Sequence, residues 1–266
     1  MPPIDVRLAH VHIGGVGRVG TAVALALQSS GVGRISCNDP QLFEEEQFAC
    51  CAFSLRSDLG RPKVKVLERL FDGRPGFVFE PLVEPNESSR VNPYLEKADL
   101  IVSCANRLSA RLHLERAAVA LEKPSVQASV HDGRLALGGV ITSWIPGSAG
   151  CCFGCLFPQP NVRFARGEVL PPALTSTVGS IAAQTVLDLL ADRGPANVRR
   201  PNLTIVDLVG YAIERLSVRR RKGCRVCGRQ ERAGRAQSPT GCAPEDRSGI
   251  PSVGRRRTHG ETHADV

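Results

Sequence analysis

Gly15-x-Gly17-x-x-Gly20 stands directly between a short apolar segment ending at Ile13 and a run of helix formers reaching Ser30. A strand, a glycine turn and a helix in immediate succession form a phosphate cradle. The glycines let the backbone turn and approach an anion, and the first helical turn offers it unpaired N–H groups. A second strand over 34–38 ends at Asp39-Pro40, where proline removes a backbone donor and the chain must leave the sheet. Asp39 lies 19 residues after Gly20, where a carboxylate can accept hydrogen bonds from ribose hydroxyls. The competing explanation is a packing turn that binds nothing.

Further along, Gly60-Arg61-Pro62-Lys63 opens an amphipathic helix to Leu70, and strands are predicted at 77–83, 99–104 and 125–130. A helix over 107–122 offers Leu108, Leu112, Ala117, Val119 and Leu121 to its buried side. Strands alternating with helices to about residue 130 argue a doubly wound, mainly parallel α/β sheet. The rhythm then changes. An antiparallel strand at 134–144, a cysteine-rich turn, a buried helix at 175–191 and strands at 202–208 and 213–218 complete the ordered part. We read residues 1–228 as one nucleotide-binding domain, with its core at 8–130 and an antiparallel, cysteine-bearing part at 131–228. Residues 229–266 read as a disordered basic tail, too poor in apolar residues to offset the entropy of ordering.

The net charge of +8 would ordinarily suggest nucleic acid as a partner. Residues 217–266 hold 12 Lys and Arg against 5 Asp and Glu, which leaves 22 against 21 for the rest. The folded body is nearly neutral, and the neighbouring Phe43, Phe48 and Phe53 lie in an acidic segment unsuited to base stacking. No nucleic-acid or membrane partner is therefore expected. No apolar run reaches the length of a membrane span and no signal architecture precedes Arg7, so the sequence reads as cytoplasmic.

Ten cysteines include two Cys-x-x-Cys pairs, Cys152/Cys155 and Cys224/Cys227. Two turns presenting two thiolates each suit one tetrahedral structural zinc. Reduced thiols, a redox pair, or Cys151 replacing Cys152 as ligand are the alternatives.

The glycine turn, Asp39, the Gly60–Lys63 segment, the strand ending at Cys104, Cys152-Phe-Gly-Cys155, the Gly179 helix and Cys224-x-x-Cys227 occur in the order seen in the ThiF/MoeB/HesA proteins. The chain resembles that family, relatives of the catalytic core of ubiquitin-activating enzymes, over about 8–228. The resemblance implies a Rossmann-like sheet with an antiparallel extension and a zinc site. It also implies ATP, with magnesium, as cosubstrate of an adenylyltransferase. The C-terminal carboxylate of a ubiquitin-like carrier protein or peptide would attack the α-phosphate, giving an acyl-adenylate and pyrophosphate. Gly15, Gly17 and Gly20 match the loop that binds the nucleotide, Asp39 the ribose ligand, and Lys63 the lysine on the phosphates.

Several positions depart from the pattern. Counted from Asp39, the family's asparagine falls on Gln47 and its phosphate-binding arginine on Cys50; the magnesium-binding aspartate falls on Asn106. Asparagine coordinates through a neutral carbonyl, so the adenylation machinery reads as degenerate. Arg18, Arg107 or Glu44–Glu46 are the candidates to compensate. Arg111 matches an arginine read as structural. The family's N-terminal helix is missing before Arg7, which weakens the expectation of a homodimer. No cysteine between Cys155 and Cys224 can carry a thioester, and Cys50 and Cys51 read as small buried residues. The second reading is a degenerate relative that binds a carrier or a complete activating subunit without adenylating. An NAD(P)-dependent oxidoreductase is a third, but it has no use for Pro62-Lys63 or four paired cysteines.

Overall fold

The computed structural model describes residues 4–48, 54–133, 136–158, 171–191 and 201–228. The elements in chain order are β1 (His10–Gly14), α1 (Arg18–Ser29), β2 (Arg34–Asn38), α2 (Glu45–Phe48), α3 (Lys63–Phe71), β3 (Val78–Leu82), α4 (Asn92–Lys97), β4 (Leu100–Ser103) and α5 (Leu108–Ala120). There follow β5 (Ser125–Gly133), β6 (Ala136–Trp144), α6 (Phe153–Leu156), α7 (Pro172–Leu190), β7 (Leu203–Asp207) and β8 (Ala212–Leu216). Cys50, Cys51, the side chain of Gln47, the loop at 162–170 and the tail after 228 lie outside the described residues.

The strands form one sheet in the order β3-β2-β1-β4-β5-β6-β7-β8. β1 to β5 run parallel, and β6 to β8 add on antiparallel. This is the α/β architecture expected. Connections leave β1 toward β2 on one side and reach β4 on the other, so the order reverses at β1. Ligands of open α/β sheets bind outside the carboxyl ends of the strands at such a reversal.

One apolar face of the sheet carries Val11, Ile13, Ile35, Cys37 and Val102, all completely buried with Val23 and Leu27 of α1 and Val178, Ala182 and Val186 of α7. The opposite face packs Leu95 of α4 and Leu114 and Ala118 of α5 against Ile101. Among the described residues α7 alone is long and apolar enough to cross a membrane, with a mean hydropathy of 1.2. The sequence reading of a buried helix at 175–191 corresponds to it. It is a core helix here: a Cβ on Gly179 would sit 2.5 Å from the Cβ of Ala22, so the missing side chain lets α7 lie on α1.

β1 starts at His10, because Asp5 to Leu8 before it fold as a turn closed by Leu8 N–H donating to the Asp5 carbonyl. On α5 the buried side includes Leu114, Arg111 and Glu115, whereas Ala117 and Leu121 are only partly covered. Apolar spacing alone could not identify the two charged residues.

Candidate functional site

At the carboxyl ends of β1 to β4 lies a cleft of about 750 Å³. Its walls include Gly15, Gly17 and Arg18 after β1, Asp39, Gln41 and Glu44 after β2, Asn86 after β3, and Asn106 and Arg107 after β4, with Lys63 at the start of α3. Of the residues singled out in the sequence, Gly15, Gly17, Asp39 and Lys63 line this cleft, and Gly20 supports it from behind.

The three glycines have different causes. Gly15 has φ +91°, and a Cβ there would lie 2.7 Å from the Ala105 backbone nitrogen, so both conformation and space demand glycine. A Cβ on Gly20 would meet the Gly15 carbonyl at 2.0 Å, so helix and turn approach as closely as they do only without one. Gly17 faces open space. Its bare backbone is accessible to a ligand, directly before the unpaired N–H groups of α1.

Asp39 is buried, with one carboxylate oxygen accepting from Val16 N–H and the other from Gln41 N–H, both at 2.8 Å. The aspartate thus ties the glycine turn to the end of β2 while its remaining lone pairs border the cleft. Lys63 is also buried, and its Nζ donates to Gln41 Oε1 at 2.8 Å. Gln41, not recognised in the sequence, orients the ammonium through its side chain and binds the Lys63 N–H through its carbonyl at 3.0 Å. Asn106 is exposed on the β4–α5 turn, and Arg107 beside it reaches within 4.0 Å of Glu87. Arg111 lies behind the cleft, bonded to the Ser103 and Ala128 carbonyls and set over the Phe153 ring, with burial lowering its pKa to about 10.

Beneath the cleft floor runs a buried polar chain that the sequence reading did not detect. Asn38 Nδ2 donates to the Glu84 carbonyl at 2.9 Å and to Asn86 Oδ1 at 2.8 Å. Asn38 Oδ1 therefore accepts from His12 Nε2 at 3.0 Å. In the neutral ring His12 Nδ1 then accepts from Ser36 Oγ at 2.9 Å, and Ser36 Oγ accepts from His10 Nε2 at 2.8 Å. Burial holds His12 neutral, lowering its pKa from 6.5 to about 3 against the opposing pull of the Asn38 hydrogen bond. Between those values the unfolded chain binds a proton that the folded chain does not. The stabilisation is complete above about pH 6.5 and is lost as the pH falls toward 3. His12→Gln should accordingly remove on the order of 3 kcal/mol of the stability lost between pH 7 and 4.5, measured by urea unfolding. An unchanged acid slope would contradict this.

The four paired cysteines converge beside α5, clustered with its Leu108, Leu112 and Val119. Cys152 Sγ lies 3.8 Å from Cys155 and 3.7 Å from Cys224, and Cys155 lies 3.5 Å from Cys227. A tetrahedron with metal–sulfur bonds of about 2.3 Å has edges of about 3.8 Å, so the donor set fits a four-coordinate metal and is compatible with zinc. These separations are far beyond a disulfide bond. Cys151 points elsewhere, toward the Asn202 amide at 3.4 Å. Hydrogen bonds from Cys152 and Cys227 hold Cys155 toward the thiolate, and the same contacts push the Cys152 thiol up. Glu115 braces the first turn: it accepts from Phe153 N–H at 2.9 Å, Ser125 Oγ at 2.8 Å and Gln127 Nε2 at 3.0 Å. The basic run at 219–222 has a structural part in the second turn. Arg220 N–H donates to the Ala149 carbonyl at 3.0 Å, and Arg221 N–H to Cys155 Sγ at 3.4 Å.

Residues 5–226 match the ThiF family. The sulfur carrier protein adenylyltransferase of Thermus thermophilus is 28% identical over 233 residues, covering 84% of this chain and 83% of that protein. The sulfur carrier protein ThiS adenylyltransferase of Escherichia coli is 26% identical over 225 residues, covering 83% and 86%. Among solved structures, that of E. coli MccB with ATP superposes with a TM-score of 0.67 at 20% identity, covering 84% of this chain and 67% of the other.

Proposed function

Because the chain belongs to the ThiF family, we propose that it is an ATP-dependent adenylyltransferase acting on the C-terminal carboxylate of a small carrier protein or peptide. The observation that supports this best is the convergence of Gly17, Asp39 and Lys63 on one cleft. In this reading Asp39 accepts from the ribose hydroxyls, and the Gly17 backbone with the α1 N-terminus holds a phosphate. A carrier carboxylate oxygen attacks the α-phosphorus, the bond to the bridging oxygen breaks, and pyrophosphate leaves with the electron pair. Lys63 follows the charge onto the leaving group. A compact ammonium on a flexible stem suits that task.

Glu44 and Asn106, both lining the cleft, would hold magnesium through side-chain oxygens, and the cation would neutralise phosphate charge. The four cysteines would hold zinc as a closed structural site. The relatives that are sulfur carrier protein adenylyltransferases direct attention to a ubiquitin-like carrier. A cytoplasmic location belongs to the same proposal.

A second reading, binding without adenylation, is favoured by one observation: a neutral asparagine, Asn106, occupies the β4 wall of the cleft. Exchange of pyrophosphate into ATP, measured with a carrier ending in two glycines, separates the two. We expect exchange in the wild type and about a tenfold gain in Asn106→Asp, since a restored carboxylate binds the cation more tightly. A silent wild type that gains exchange in Asn106→Asp supports the second reading instead.

A further inference from the structure

Asn86 was not among the residues suggested by sequence, yet it is 5% exposed and lines the cleft. Its amide orientation is fixed by Asn38. The Glu84 carbonyl can only accept, so the atom of Asn38 facing it is Nδ2, and the second hydrogen of that nitrogen goes to Asn86 Oδ1. His12 reinforces this by occupying Asn38 Oδ1. A Cβ on Gly14 would fall 2.6 Å from Asn86 Oδ1, so the glycine leaves room for the oxygen to turn inward. Asn86 Nδ2 has no hydrogen-bond partner among the described residues, and it is not among the fully enclosed unsatisfied atoms. A nearly buried amide donor is thus presented to the cleft with its orientation locked.

We propose that Asn86 reads the base of the nucleotide, donating from Nδ2 to a ring nitrogen of a purine. The inference rests on the reading of the cleft as an ATP site. With ribose at Asp39 after β2 and phosphates at the glycine turn after β1, the base falls to the walls formed by Pro85 and Asn86 after β3 and by Cys104 to Asn106 after β4. Adenine presents N1, N3 and N7 as acceptors, each able to take this hydrogen bond. A base edge that presents a donor there would meet the Asn86 donor head on. His12 and Asn38 are positioning residues in this scheme, since their hydrogen bonds fix which atom of Asn86 faces the base.

Binding of ATP and of its 1-deaza, 3-deaza and 7-deaza analogues to the full chain, by calorimetry, tests the assignment. The wild type should bind one of the three analogues about tenfold more weakly than ATP, as expected for one lost hydrogen bond to a buried donor. Asn86→Ala should lose about as much toward ATP and nothing further toward that analogue. Asn86→Asp keeps the acceptor for Asn38 and the shape of the side chain, so it guards against misfolding; it should bind ATP at least about tenfold more weakly by setting oxygen against nitrogen. Unchanged ATP affinity in Asn86→Asp, or the wild-type pattern of analogue losses in Asn86→Ala, overturns the proposal while leaving the ATP site standing. A wild type that binds no ATP overturns both.

Discussion

Serine in place of Cys227 should release the bound metal and lower the thermal midpoint by about 6–12 °C, the equivalent of about 3 kcal/mol in a domain of this size. The four paired sulfurs join segments 72 residues apart and sit within one buried cluster. Cys152, Cys155, Cys224 and Cys227 are buried with Trp144, Phe153, Val226 and Leu112 in one cluster. Gly154 is packed so that a Cβ would meet Val226 at 2.4 Å, which shows how closely the two turns interlock. Removing one thiolate leaves three like-charged or protonated sulfurs in that space with no cation to balance them. Metal content by mass spectrometry and unfolding by circular dichroism report the two effects separately. Wild-type protein purified without chelator should carry about one zinc per chain. A serine variant with unchanged midpoint would mean that the four cysteines pack as simple thiols.

Lys63→Ala should reduce pyrophosphate exchange by about 10²–10³-fold, the cost of one preorganised cation facing charge that develops in the transition state. Lys63 differs from the exposed lysines of the chain in being buried and held from two sides by Gln41. That placement means little rotamer entropy remains to be lost when the nucleotide binds. The effect should fall on kcat more than on KM for ATP, because the charge it follows is greatest as pyrophosphate leaves. Lys63→Arg should rescue only partly, since a planar fork replaces a point charge. Full exchange by Lys63→Ala would place the lysine outside the reaction.

How much was legible follows from how local each signal is. The 34–38 strand appears at the predicted residues, because its end is set locally by Asp39-Pro40. The glycine turn was equally readable, since a strand, three glycines and a helix are contiguous. The buried chain from His10 to Asn86 was not, because it exists only once β1 and β2 pair with His12 opposite Ser36. The alternation of His10 with His12 and of Ser36 with Asn38 on one sheet face was the clue available. Glu115 escaped for a related reason: the three groups that make its burial tolerable come from β5 and the first cysteine turn. Burial raises its carboxyl pKa, and the same three hydrogen bonds draw it back.

The composition of α7 would suit a lipid bilayer, yet its surroundings explain why the helix need not meet one. Its packing partners, α1, β5 and β6, all precede it in the chain. As synthesis proceeds from the N-terminus, most of the surface that receives α7 is made before the helix leaves the ribosome, and among the described elements only β7 and β8 are still to come. The order of the elements therefore shortens the interval in which this apolar helix is exposed to chaperones, membranes or other chains.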